Sequence, residues 1–275
     1  MSYATLLVHL QAGGTNTNLL QVGGDLAERF GARVIGIAAC RPLQIVSGEG
    51  YVPGDLFQKD KDDIDRELKA AEAEFRGTLK SRAKSIEWRC TTTYGLIADF
   101  LAEQARCADL IIAGVIESDY MGASRAADTA DLVMRAGRPV LIVSAALSMP
   151  KLDSIVVGWK DTREARRAAL DALPLLKIAR RVAVVEIVDE AEQAAARKRL
   201  DDVVLWLKGH GVTAVPLTPS PAGEGAAALN KVADDQDAGL IVAGAYGHSR
   251  LREWALGGVT RDLLASPGRC SLLSH

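Results

Sequence analysis

Residues Gly95–Gly114, GLIADFLAEQARCADLIIAG, align without a gap on Gly225–Gly244, GAAALNKVADDQDAGLIVAG. Identities include Gly95/Gly225, Ala98/Ala228, Leu110/Leu240, Ile111/Ile241 and Gly114/Gly244. The likeness resumes after a one-residue adjustment, where TADLVMRAGRPVLIVS (Thr129–Ser144) pairs with TRDLLASPGRCSLLSH (Thr260–His275). Upstream, the apolar start Thr5–Gln11 corresponds to Ser154–Lys160. A repeat of this length in the same segment order means two copies of one unit in tandem. Their join falls in Ala145–Asp153, where Ser148, Met149 and Pro150 interrupt the periodicity.

Within each copy, short β-branched runs alternate with longer segments of helical spacing, the pattern of a parallel sheet covered by helices on both faces. The first copy predicts strands near 4–10, 33–39, 86–92, 109–115 and 139–144. The second predicts them near 154–159, 181–188, 212–217, 239–244 and 270–274. Ile64, Leu68, Ala71, Phe75 and Leu79 recur every three or four residues and form one apolar stripe on a helix. Asp161, with Glu164 three residues on, reads as the N-cap of a helix running through Ala169. Only the first copy carries an insertion, Arg41–Gln58, which is either a lid or contact surface or a tolerated surface excursion.

Composition narrows the function. The 275 residues are 48% apolar and 25% charged, enough for each half to bury its own core. A net charge of −2 and an aromatic content of 5% offer neither a basic field nor stacking platforms, which argues against nucleic acid as a partner. No apolar run reaches the roughly 18–20 residues that span a bilayer, and the first residues lack a signal-peptide pattern, so a cytoplasmic protein without a membrane partner is expected. Cys40, Cys90, Cys107 and Cys270 are scattered, with no C-x-x-C pair and no histidine at metal-ligand spacing, so reduced thiols and no metal site are expected.

The richest motif follows the predicted strand ending at Ala243: Gly244-Ala-Tyr-Gly247-His248-Ser-Arg250-Leu-Arg252-Glu-Trp-Ala-Leu-Gly257-Gly258-Val259-Thr260. Glycines at a strand exit allow a tight turn and expose backbone N–H groups, and a helix starting after Gly258 would add its positive end. The pattern G-x2-G-x9-G-G-x-T therefore makes an anion-binding floor suited to phosphate. His248 either touches such a phosphate or stands in solvent, and Arg250 and Arg252 either steer anions or keep the surface soluble. The loop lacks the Gly-Lys-Ser/Thr ending that holds Mg²⁺ in a Walker loop, and no Ser-His-Asp arrangement or G-x-G-x-x-G follows the first strand. Efficient ATPase or dehydrogenase chemistry is thus unsupported.

Through these residues the chain resembles the universal stress protein family, whose signature is G-x2-G-x9-G followed by Ser or Thr. The resemblance covers nearly the whole chain twice and implies two open five-stranded parallel sheets of order 3-2-1-4-5. The corresponding domains are 1–147, with a degenerate loop, and 151–275, with the full pattern. It further implies binding of an adenine nucleotide, ATP with Mg²⁺, in the second domain. Gly244, Gly247, Gly257, Gly258, Val259 and Thr260 would then line the phosphate and ribose site. The last strands, Pro139–Ser144 and Cys270–Ser274, would pair with each other inside the chain, leaving open the further pairing of whole chains. Two positions depart from the family pattern. Lys160 stands where nucleotide-binding members carry an acid, so it either meets phosphate as a point charge or is solvated. Gly258 replaces the hydroxyl residue after the third glycine. In the first copy Gly114 survives, but Glu117 replaces Gly247, Ala126 and Ala127 replace Gly257 and Gly258, and Gln11 replaces the acid; no nucleotide is expected there. Two functions follow: a stress-response protein whose nucleotide occupancy biases its choice of a protein partner, or an interaction module with both sites lapsed.

Overall fold

The computed structural model describes residues 2–43, 54–115, 124–144, 151–220, 226–245 and 268–275. The chain forms two compact units, one of Tyr3–Ala136 and one built on Gly137–His275.

In the first unit, β1 (Thr5–His9), β2 (Arg33–Cys40), β3 (Ser85–Thr92) and β4 (Leu110–Gly114) form a parallel sheet ordered β3-β2-β1-β4. In β1 and β2, residue after residue is buried from their second positions onward, which requires cover on both faces of the sheet. The helices are α1 (Thr17–Phe30), α2 (Gly54–Leu79), α3 (Ile97–Gln104) and α4 (Thr129–Arg135). All five residues of the predicted stripe, Ile64 to Leu79, are buried along α2. The edge strand β3 is only half-buried and carries charge, with Glu87 bonded to Arg33 and Arg89, a composition that discourages further strand pairing.

The second unit contains β5 (Val140–Val143), β6 (Ser154–Gly158), β7 (Arg181–Val185), β8 (Val215–Leu217), β9 (Leu240–Gly244) and β10 (Cys270–Ser274). Its parallel part runs β8-β7-β6-β9-β10, the expected 3-2-1-4-5 order. β5, the last strand of the first copy, lies in this unit and pairs antiparallel with β10, matching Leu141 to Leu272. Helices α5 (Arg163–Asp171), α6 (Leu173–Ile178), α7 (Gln193–Gly209) and α8 (Ala226–Asp235) complete it.

The structure departs from the local expectations at several points, and β7 ends at Val185 rather than near 188. The cap of α5 is Thr162, not Asp161: Thr162 is extended and its hydroxyl accepts the Ala165 N–H at 3.3 Å. Asp161 stands one residue too early for that geometry and pairs with Arg166 at 2.7 Å instead. The insertion does not stay a loop to Gln58, because helix α2 begins at Gly54; residues 44–53 of it lie outside the described residues. β8 is three residues long rather than six. The predicted join lies outside the described residues up to 150.

One glycine fixes how α2 lies on its sheet. A Cβ on Gly36 would stand 2.7 Å from the ring of Phe75, which is fully buried and packs at 5.5 Å on Trp88. Gly36→Ala is expected to cost about 2 kcal/mol by overpacking, read as a lower urea midpoint with an unchanged slope.

Candidate functional site

In open parallel sheets a ligand crevice lies beyond the carboxyl ends of the strands, where the strand order reverses. In the second unit that point lies between β6 and β9, which pair from Ile155↔Leu240 to Gly158↔Ala243. Gly244, the first glycine of the motif, ends β9, and Lys160 follows the exit of β6 and is exposed. The structure therefore brings these two predicted residues to one strand-order reversal. Gly247, His248, Arg250, Gly257, Gly258, Val259 and Thr260 lie outside the described residues.

Gly244 is glycine for a packing reason. A Cβ there would meet the backbone of α5, 2.5 Å from Ala165 N and Glu164 C. The next residue is also committed: the Ala245 N–H donates to Ser274 O at 2.8 Å, and His275 Nδ1 lies 3.1 Å from Ala245 O. The Ala245 N–H is accordingly not free to meet a phosphate.

Three further side chains stand at this edge: Glu164, which the sequence suggested only as a helix-capping partner, and Glu186 and Trp159, which it did not single out. Glu164, in the first turn of α5, is 3% exposed. Burial alone would raise its carboxyl, but Arg163, its own N–H and the Thr162 hydroxyl outweigh that and hold it below the ordinary value. It is thus an ionised carboxylate on the residue whose backbone and Cβ lie against Gly244, and it bonds to Arg163. Glu186, just after β7, is also buried and is gripped by Arg199 through Nη2 at 2.6 Å and Nε at 3.3 Å. Trp159 donates its backbone N–H to Val185 O at 2.7 Å, while its buried indole Nε1 has no partner among the described residues. The sequence signal for Glu186 was its place at the end of an apolar strand, where a charged residue needs a partner.

The corresponding edge of the first unit differs. Ala126 and Ala127 are buried, and a Cβ on Gly114 would meet nothing within 4 Å among the described residues. Beside them the buried Arg125 and Asp60 and the half-buried Glu67 form an ion-pair cluster. Among the described residues, no group of His, Cys, Asp and Glu is arranged to hold a metal ion, and no helix is long and apolar enough to cross a membrane.

In the second unit the parallel strands run in the order 3-2-1-4-5, and Gly244, the first residue of the glycine motif, stands at the reversal. Solved structures carry the same fold along nearly their whole length. A universal stress protein from Archaeoglobus fulgidus DSM 4304 is 11% identical, with 98% of each chain covered and a TM-score of 0.75. A functionally unknown protein from Pseudomonas aeruginosa PAO1 is 15% identical, with 99% of this chain and 92% of that one covered and a TM-score of 0.65. No protein-family model and no curated protein matches the sequence.

Proposed function

We propose that this chain is a cytoplasmic universal stress protein whose second copy binds an adenine nucleotide, ATP with Mg²⁺, at the β6/β9 reversal. Occupancy of that site would bias the conformation or the choice of protein partner during a stress response. The observation that carries this reading is the coincidence of the motif with the strand-order reversal: Gly244 leaves β9 beside the exit of β6. Lys160, exposed at the same edge, offers a cation to a phosphate. Catalysis is not part of the proposal, because the loop has no Walker ending.

A second reading has its own support. Gly244 packs on the backbone of α5 at Glu164 and Ala165, so part of the motif is accounted for without a ligand. On that reading the chain is an interaction module that binds no nucleotide.

Calorimetric titration of ATP with Mg²⁺ into the nucleotide-stripped protein separates the two. One saturable site is expected, with affinity at least tenfold weaker in Gly257→Val, a loss of about 1.4 kcal/mol or more. Absence of heat in both proteins would leave the interaction module as the better account. Equal affinity in both would remove the glycine loop from the site.

A further inference from the structure

In the first unit, the backbone of Ser124 and Arg125 lies across the strand exits. The Arg41 N–H donates to Ser124 O at 2.7 Å, and the Ala12 N–H to Arg125 O at 3.4 Å. This is the carboxyl edge of β1 and β2, beside the β1/β4 reversal at which this fold would admit a ligand.

The Arg125 side chain, 8% exposed, turns inward there. Its Nε donates to Glu67 Oε2 at 2.7 Å, its Nη2 to Asp60 Oδ1 at 3.0 Å, and its Nη1 to Arg41 O at 3.2 Å. The other Asp60 oxygen accepts the Leu43 N–H at 2.8 Å, and the Glu67 carboxylate lies against Gly13 in the turn after β1. Asp60 and Glu67 are two turns apart on α2, on the face that carries Ile64 and Leu68 inward. Next to these charges, Ala12, Ala38, Cys40, Ile64 and Leu68 form an apolar cluster with Trp88 against it. Burial pushes the Cys40 thiol up to about 12, so it serves as an apolar filler.

We propose that Arg125 is the resident occupant of the first unit's crevice, a guanidinium clasp that excludes anionic ligands and ties the amino-terminal part of α2 to the strand exits. The first copy has then not merely lost a loop. A glycine loop that decayed without replacement would leave an open hollow, whereas here each of the three guanidinium nitrogens meets an acceptor and both carboxylates are engaged. Deleting the arginine would leave two carboxylates around a guanidinium-shaped space, which suits a planar cation and repels phosphate. This inference concerns the first copy and does not depend on nucleotide binding in the second.

The test uses the full chain and no nucleotide. Arg125→Ala is expected to lower the melting temperature by roughly 10 °C, the effect of stranding the buried Asp60 carboxylate beside the half-buried Glu67. Guanidinium chloride at roughly 20 mM, far below its molar denaturing range, should raise the melting temperature of Arg125→Ala more than an equal concentration of sodium chloride does. The unmodified protein and the Arg125→Ala/Asp60→Asn/Glu67→Gln variant should show no such gain, and inorganic phosphate should give none to Arg125→Ala. If Arg125→Ala fails to fold, Arg125→Met with and without Asp60→Asn/Glu67→Gln supplies the comparison: neutralising the carboxylates should restore melting temperature or soluble yield. Melting of Arg125→Ala at the unmodified temperature, rescue equalled by sodium chloride or phosphate, or no gain from neutralising the carboxylates would each overturn the clasp.

Discussion

Gly244→Ala is expected to destabilise the second unit by about 3 kcal/mol with no ligand present, while Gly114→Ala, at the aligned position of the first, stays within about 0.5 kcal/mol. The two glycines end equivalent strands in equivalent sequence, LIVAG and LIIAG. Their surroundings differ. A Cβ on Gly244 would lie 2.5 Å from Ala165 N and Glu164 C and 2.8 Å from Glu164 Cβ, whereas one on Gly114 would meet nothing within 4 Å among the described residues. The obstructing atoms are mainly helix backbone, held by the Thr162 cap and by packing of α5 on β9 and β10, so no side-chain rotation relieves the contact. The cost therefore sits at the upper end of the overpacking range rather than at its middle. Urea unfolding of both variants without nucleotide measures it. A Gly244→Ala protein as stable as its parent would return this glycine to a purely ligand-based explanation.

That contrast shows which features could be read from the chain and which could not. Strand positions and the α2 stripe follow from periodicity and repetition, which are local or self-referential signals, whereas the strand order of the second copy was anticipated only through the family resemblance. The pairing of β5 with β10 was anticipated only through the family resemblance, since strand pairing between distant segments leaves no local trace. Thr162 and Asp161 are both good caps by composition, and only the backbone geometry chooses between them. The Arg125 clasp needs residues 60, 67 and 125 to meet, and nothing in their spacing announces that. A glycine conserved between copies for two different reasons is equally silent until the neighbouring helix is in place. Of the predicted site, the structure joins Gly244 and Lys160 at one edge, and the rest of the glycine motif lies outside the described residues.

Lowering the pH from 7 to 5 is expected to cost the protein about 2 kcal/mol through His9 alone, and the full loss to about pH 4 is near 3 kcal/mol. His9 ends β1, is buried, and its Nε2 has no partner among the described residues; burial holds its pKa down to about 4 from an ordinary 6.5. The unfolded chain therefore takes up this proton below about pH 6.5 while the folded chain refuses it until about pH 4, so unfolding is favoured progressively across that window. Above pH 6.5 the contribution to stability is complete. Glu28, Glu87 and Glu164, whose carboxylates Arg82, Arg89 and Arg163 help hold below 4.5, lose their contribution mainly below that pH, and Asp171, whose carboxyl burial raises, acts in the opposite sense, so the histidine's share is isolated by comparison with a variant lacking it. His9→Leu removes the titrating ring and the orphaned nitrogen together, so it should match the parent within about 1 kcal/mol at pH 7 and exceed it at pH 5. Unfolding curves at both pH values supply the comparison, and parallel losses in parent and variant would show that His9 does not titrate as its burial requires. The position also marks how the copies diverged: His9 aligns with Gly158, where the missing side chain admits Leu229 of α8, to within 2.9 Å of where a Cβ would be. At one register position the second copy accommodates a helix side chain over its strand, and the first holds an imidazole whose neutrality the fold must maintain.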